Sequence, residues 1–167
     1  MTDAYPGPLF LDATVVSNFA STDGCKLLSQ TLPTPVVTPA VKIEIERGCD
    51  HGHEYLATAV AAIGDTIPVR TVSTPASEPT SQIELDAGEA ESLRGAIATE
   101  GTIATDDLAA RRAATQQEVP VTGSVGLLVY CVSRGELSQE TADDWLTTWR
   151  EKRGYYAPVE SIAEVME

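Results

Sequence analysis

The stretch Thr102-Ile103-Ala104-Thr105-Asp106-Asp107 decides how the rest of the chain is read. Small and β-branched residues follow Gly101 and run directly into two acids, the pattern of a short buried strand whose carboxyl end carries charge. On its upstream side Ala90, Leu93, Ala96 and Ile97 recur at helical spacing between Gly88 and Glu100, and Gly101 ends the pattern. On its downstream side the sequence predicts an Ala-rich helix over Leu108 to Gln116, a strand over Val119 to Thr122, a break at Gly123-Ser124, and an apolar helix over Val125 to Ser133. Farther back, the apolar run Pro8 to Val16 reads as another buried strand carrying Asp12, with Thr14 or Ser17 able to cap a helix after it. Pro35 to Thr38 reads as a short strand, and Pro39 opens a helix over Ala40 to Arg47 that Gly48 stops. A helix over Glu54 to Ile63, a strand over Ile67 to Val72 and an exposed Ser/Thr/Pro loop from Ser73 to Gln82 fill the middle. Strands separated by helices need crossover connections, so the sheet is parallel and covered on both faces, and the expected class is α/β. After Gly135 an amphipathic helix over Glu136 to Lys152, with Leu137, Trp145, Leu146 and Trp149, and a further helix over Val159 to Met166 form a helical C-terminal extension.

The chain has 167 residues, 43% of them hydrophobic, which suits one core. No apolar run approaches the roughly 18 residues needed to span a bilayer, so no membrane partner is expected. Met1 to Pro8 is short and acidic rather than a secretion leader, and Cys25, Cys49 and Cys131 are odd in number and spread out. A cytoplasmic protein with free thiols is expected. The 25 Asp and Glu against 11 Lys and Arg give a net charge of −14, which fits surface carboxylates that keep a protein hydrated in a salty cytosol. At about 1 M salt the Debye length is only about 3 Å, so this charge does not exclude a nucleic-acid partner.

The placement of the acids says more than their number. Asp12 and the Asp106-Asp107 pair stand at strand ends, where α/β folds open their ligand crevice. An ionised carboxylate beside buried strand residues is costly unless a cation or hydrogen-bond donors compensate it, and the nearest base in sequence to Asp12 is Lys26. Glu44 lies on the helix after the second strand, and Glu89 opens a later one. Singly, each reads as a surface or first-turn acid favoured by the helix dipole. Together, carboxylates from four separated segments form a set able to hold Mg²⁺ or Mn²⁺, hard ions that take oxygen ligands.

With these pieces placed, the sequence resembles the PIN-domain family, in particular the PIN-like subgroup among archaeal and bacterial VapC-type toxins. The matching pieces are Leu11 to Val16, Pro39-Ala40-Val41 with Glu44, Leu85 to Glu91, Ile103 to Arg111 and Val121 to Leu128, in the family's order. The resemblance implies a three-layer α/β/α sandwich, with a nuclease domain over 1–137 and the helical extension of the same domain over 138–167. It implies a divalent-metal-dependent endoribonuclease acting on RNA phosphodiesters, with Asp12, Glu44, Glu89 and Asp107 catalytic. Asp12, Glu89 and Asp107 would hold Mg²⁺ or Mn²⁺, Glu91 is the competing choice for the third acid, and Asp106 and Ser124 support. A toxin paired with a small antitoxin, a homodimer and, with the acidic composition, a haloarchaeal source are implied by the same resemblance. The alternative is a non-catalytic PIN-like binding protein. Leu108 departs from the Arg that often follows the acid pair, and Cys49 to Ile83 matches no part of the family pattern.

Competing chemistries lack a required residue. A haloacid-dehalogenase-like phosphatase needs a second acid where Thr14 stands, and a receiver domain needs a Lys where the chain has Thr122-Gly123-Ser124. Cys49-Asp50-His51-Gly52-His53-Glu54 holds borderline and soft metal ligands, but no second Cys/His group completes a zinc site, and a polar loop is expected there.

Overall fold

Leu9, Phe10 and Leu11 are each fully buried, and the strand's period of two sends Leu9 and Leu11 into one core and Phe10 into another. A strand buried on both faces sits in the middle of a covered sheet, which is where the computed structural model places it. The structure describes residues 5–73 and 84–166, so most of the expected loop from Ser73 to Gln82 lies outside the described residues. Strands β1 (Leu9–Leu11), β2 (Pro35–Val36), β3 (Thr102–Ala104) and β4 (Val121–Thr122) form a four-stranded sheet of order β2-β1-β3-β4. Every pairing is parallel, with Leu11 opposite Ala104 and Ala104 opposite Thr122.

Helices cover both faces. Above one face lie α1 (Ala13–Ser21), α7 (Ser124–Ser133) and α8 (Gln139–Arg153), whose Val15, Phe19, Leu127, Leu146 and Trp149 share the core of Leu9 and Leu11. On the other face α5 (Ala87–Thr99) and α6 (Leu108–Gln116) pack Leu93, Ala96, Ala113 and Ala114 around Phe10 and Ile103. The α/β/α sandwich is completed by α2 (Cys25–Thr31), α3 (Pro39–Asp50) and α4 (Ala57–Ala62). Among the described residues no helix is long and apolar enough to cross a membrane.

Several expectations are corrected in detail. The opening strand stops at Leu11, and Thr14, Val15 and Val16 belong to α1: the two valines are fully buried, and packing outweighs their β preference. Helix α2 has no counterpart among the elements expected from the sequence. Gly48 does not end α3, because a Cβ there would stand 2.6 Å from Leu56 Cδ1, so this glycine serves helix packing instead. The expected strand over 67–72 is reduced to bridges of Val69 with Val37 and of Ile67 with Ile63, since Pro68 offers only its carbonyl, to Val37 N at 3.0 Å. The last expected helix is a single 3₁₀ turn, Ile162–Glu164.

Gly95 shows how tightly the α5 layer is packed: a Cβ would meet Phe10 Cε2 at 2.4 Å and Cζ at 2.7 Å. Gly95→Ala gains at most about 1 kcal/mol of helix propensity and incurs about 1–3 kcal/mol of overpacking. A net loss of about 1–2 kcal/mol is expected, read as a lower urea midpoint at unchanged slope.

Candidate active site

The strand order creates one topological switch. From β1 the chain crosses to β2 on one side and later to β3 on the other, so the carboxyl ends of β1 and β3 border the crevice that such a reversal opens. Asp12 N donates to Ala104 O at 2.9 Å, which sets Asp12 beside Thr105 at that edge. The Thr105 hydroxyl donates to Asp12 Oδ2 at 2.8 Å and accepts from Asp107 N at 3.2 Å, tying the two strand ends together. Thr14 Oγ1 adds a donation to Asp12 Oδ2 at 3.2 Å and accepts from Asp106 N at 3.3 Å. Asp12 is only 1% exposed, yet its Oδ1 is buried with no hydrogen-bond partner. A buried carboxylate oxygen with no donor is a ligand atom or a large cost.

Helix α5 brings the next acids to the same edge. Asp86 and Glu89 form a capping box: Asp86 Oδ1 accepts from Glu89 N at 2.8 Å and Glu89 Oε1 from Asp86 N at 3.1 Å. Gly88 lies between them. A Cβ there would stand 3.3 Å from Glu44 Oε1 and 3.6 Å from Asp86 Oδ1, so Glu44 of α3 leans over the first turn of α5. Asp107 caps α6 by accepting from Ala110 N at 2.9 Å.

Crowding like charges in partial burial raises their pKa values. Burial, and then the Asp86 charge against the opposing hydroxyl and backbone donors, lifts the Asp12 carboxyl to about 6. Burial lifts Glu89 to about 7, with further upward contributions from its hydrogen bond to the Asp107 side chain and from the Asp86 and Asp12 charges. Glu44 is also raised, by burial and by the Asp86 and Asp12 charges. Among the described residues no three Asp, Glu, His or Cys side chains stand close enough, as placed, to hold a metal ion between them. The acids form an electrostatically coupled group rather than a finished coordination shell.

A family model described as DUF3368, PIN domain, matches residues 9–167. The chain belongs to the PIN-domain family. PIN domains are generally nucleases that require a divalent metal such as Mg²⁺. No curated protein matches this chain.

In this PIN domain Asp12, Glu44, Glu89 and Asp107 share the crevice edge, coupled through Asp86 and Thr105. The Asp106 carboxylate instead meets the start of α7. Its Oδ1 accepts from Ser124 N at 2.8 Å and its Oδ2 from Ser124 Oγ at 2.5 Å, so both residues are committed to each other. Glu91, the competing third acid, accepts from Ala40 N at 3.1 Å at the start of α3. Beside Asp106 a groove of about 750 Å³ runs past Arg111, Leu108, Tyr155 and Tyr156. Arg111 Nη1 donates to Thr105 O at 3.0 Å, and Gly123 makes room for it, since a Cβ there would lie 2.8 Å from that nitrogen.

Sequence reasoning gives no role to Asp86, Thr105, Asn18, Arg153 or Tyr155. Asp86 carries a readable signal, the Asp-x-x-Glu capping box ahead of a periodic helix. The others carry none, because the contacts that tie them to the site's acids, Thr105 to Asp12 among them, join residues distant in sequence. At the His/Cys segment, Cys49 and Asp50 belong to α3, His51 Nδ1 meets Arg47 O at 2.6 Å, and the His53 ring lies against Tyr55 with centroids 5.9 Å apart.

Proposed function

We propose that this PIN domain is a divalent-metal-dependent endoribonuclease. The observation that carries the reading is the buried, donor-free Oδ1 of Asp12 at the switch point, surrounded by electrostatically coupled carboxylates. The donors are all oxygen, which suits Mg²⁺ or Mn²⁺ better than a softer ion. Asp12, Glu89 and Asp107 are the residues that would hold it. When bound, such an ion supplies Lewis acidity, acidifying a water and offsetting charge on the phosphoryl oxygens.

The chain's own groups do the rest. Glu44, whose carboxyl is held above its ordinary pKa, is a stronger base than a solvent-exposed Glu and accepts the proton of the attacking water. Thr105 and Thr14 hold Asp12 Oδ2, which leaves Oδ1 as the free ligand atom. The Asp106–Ser124 pair anchors the turn that carries Asp107. The guanidinium of Arg111, beside the groove, neutralises a phosphate of the RNA strand. The terminal segment 138–167 is read as an extension of the same domain.

The finer reading is a cytoplasmic type II toxin, acting as a homodimer and neutralised by a small antitoxin. Its support is the order of the five sequence blocks, and the net charge of −14 supports a halophilic source. An open reading frame for a small DNA-binding protein directly upstream is the expected genomic neighbour.

The direct test is cleavage of single-stranded RNA in high KCl with Mg²⁺, with Mn²⁺ and with EDTA. Cleavage is expected only with metal, and Glu44→Gln and Asp107→Asn are each expected to lower kcat by about a hundredfold, the scale of losing a positioned base or a metal ligand. Equal rates in EDTA, or in both variants, would contradict the proposal and leave a PIN fold that binds without cutting.

A further inference from the structure

The C-terminal segment reaches the acid turn through a chain of polar contacts that the nuclease reading leaves unused. Asn18 of α1 is 3% exposed, and its Nδ2 donates to Asp106 Oδ2 at 3.2 Å and to Ser124 Oγ at 3.1 Å. Its Oδ1 accepts from Arg153 Nε at 2.8 Å, across 135 residues of sequence. A guanidinium N–H can only donate, so Arg153 requires the carbonyl oxygen of Asn18 on its side. The amide is thereby oriented, and both of its N–H bonds are left for Asp106 and Ser124. A flipped amide would set its NH₂ against the guanidinium and a carbonyl oxygen against the Asp106 carboxylate.

Arg153 is itself held. Its Nη1 donates to the Tyr55 hydroxyl, and its guanidinium lies 5.2 Å from the Tyr55 ring centroid. Gly154 then ends α8 in the left-handed region at φ 64, and this reversal carries Tyr155 back to the site, where its hydroxyl donates to Asp106 Oδ1 at 3.4 Å. The last turn of α8 is braced against α1 by Trp149, fully buried, with its ring 5.2 Å from Phe19 and 5.9 Å from Tyr155. With Ser124, the four donors to Asp106 thus come from α1, α7 and the segment after α8.

We infer that Arg153 is a positioning residue of the candidate nuclease site: by fixing the Asn18 amide it holds the carboxylate of Asp106, and so the turn that presents Asp107. The inference rests on the nuclease reading. It also makes the terminal helix part of the site, since α8 supplies a donor on which the acid turn depends.

The test uses the full chain with Arg153→Met and Arg153→Lys, each assayed for kcat and KM on single-stranded RNA with Mn²⁺. Thermal midpoints and the Asn18 side-chain amide resonances in ¹⁵N NMR are recorded alongside. Arg153→Met is expected to lower kcat about tenfold, the scale on which groups behind metal ligands act, with KM within about twofold. The Asn18 amide pair is expected to lose its dispersion and its protection from exchange. Arg153→Lys, which keeps a cationic donor, is expected to restore kcat to within about threefold of wild type even though it lacks the planar contact with Tyr55.

Three results would overturn the inference. If wild type and Arg153→Met cleave equally while Asp12→Asn does not, Arg153 has no positioning role and the nuclease reading stands. If the Met and Lys variants lose midpoint and kcat in equal measure, Arg153 is a packing residue only. If the wild type shows no metal-dependent cleavage, both readings fall together.

Discussion

Asp12→Asn is expected to abolish metal-dependent cleavage, by about a thousandfold in kcat, while leaving the protein at least as stable as wild type above pH 7. The loss corresponds to about 4 kcal/mol of transition-state stabilisation, the several kcal/mol that a metal ligand supports. The stability expectation comes from burial. Asp12 is 1% exposed and its Oδ1 has no donor, so the charged form is the disfavoured one and its carboxyl titrates at about 6. Against an unfolded value of about 4, that difference costs the folded state on the order of 3 kcal/mol once the group is ionised. Asn retains an oxygen to accept from Thr105 and Thr14 without the charge. The measurement is kcat beside a urea midpoint at pH 8. A variant that is inactive because it is unfolded would fail the second half.

The second large effect is the pH dependence of stability without metal. Asp12 titrates at about 6 and Glu89 at about 7 in the fold, both above the ordinary carboxyl range near 4. The folded state therefore holds protons that the unfolded chain has released. Its stability is fully present below about pH 4 and is lost as pH rises through about 6 and then about 7. This is the reverse of ordinary acid denaturation. In EDTA the thermal midpoint is expected to fall by several degrees between pH 5 and pH 8, a loss of 1 kcal/mol being worth about 2–4 °C at this size. Since ligands must be deprotonated to bind, MnCl₂ is expected to raise the midpoint more at pH 8 than at pH 5. At a hundredfold excess over Kd the gain is about 2.7 kcal/mol. Asp12→Asn should remove the loss near pH 6 from the EDTA profile, leave the loss near pH 7 that Glu89 causes, and remove most of the Mn²⁺ response. An EDTA midpoint that climbs steadily to pH 8 would contradict the burial argument.

The range of each interaction sets how far the sequence is readable. Asp12 and Asp107 are legible because a strand's hydrophobic run and the acid that ends it are neighbours in the chain. Glu44 and Glu89 are legible as helix positions, but the approach of Glu44 to Gly88 and Asp86 joins α3 to α5 and leaves no local mark. Local propensity misassigns Thr14-Val15-Val16, where burial in the α1 face wins, and Gly48, where the approach of Leu56 rather than a helix end requires glycine. The strand expected over 67–72 fails at Pro68, which lacks a ladder N–H. The link from Arg153 through Asn18 to Asp106 joins residues from opposite ends of the chain, and only the fold reveals it.

The most direct test of the central claim is calorimetric titration of the metal-free protein with MnCl₂ at pH 6.5 in two buffers of different ionisation heat. If the Asp12 carboxylate and its neighbours hold the ion, the wild type binds Mn²⁺ and releases protons on binding, and Asp12→Asn does neither. An absence of binding heat in the wild type, or the same isotherm and proton release in Asp12→Asn, would contradict it.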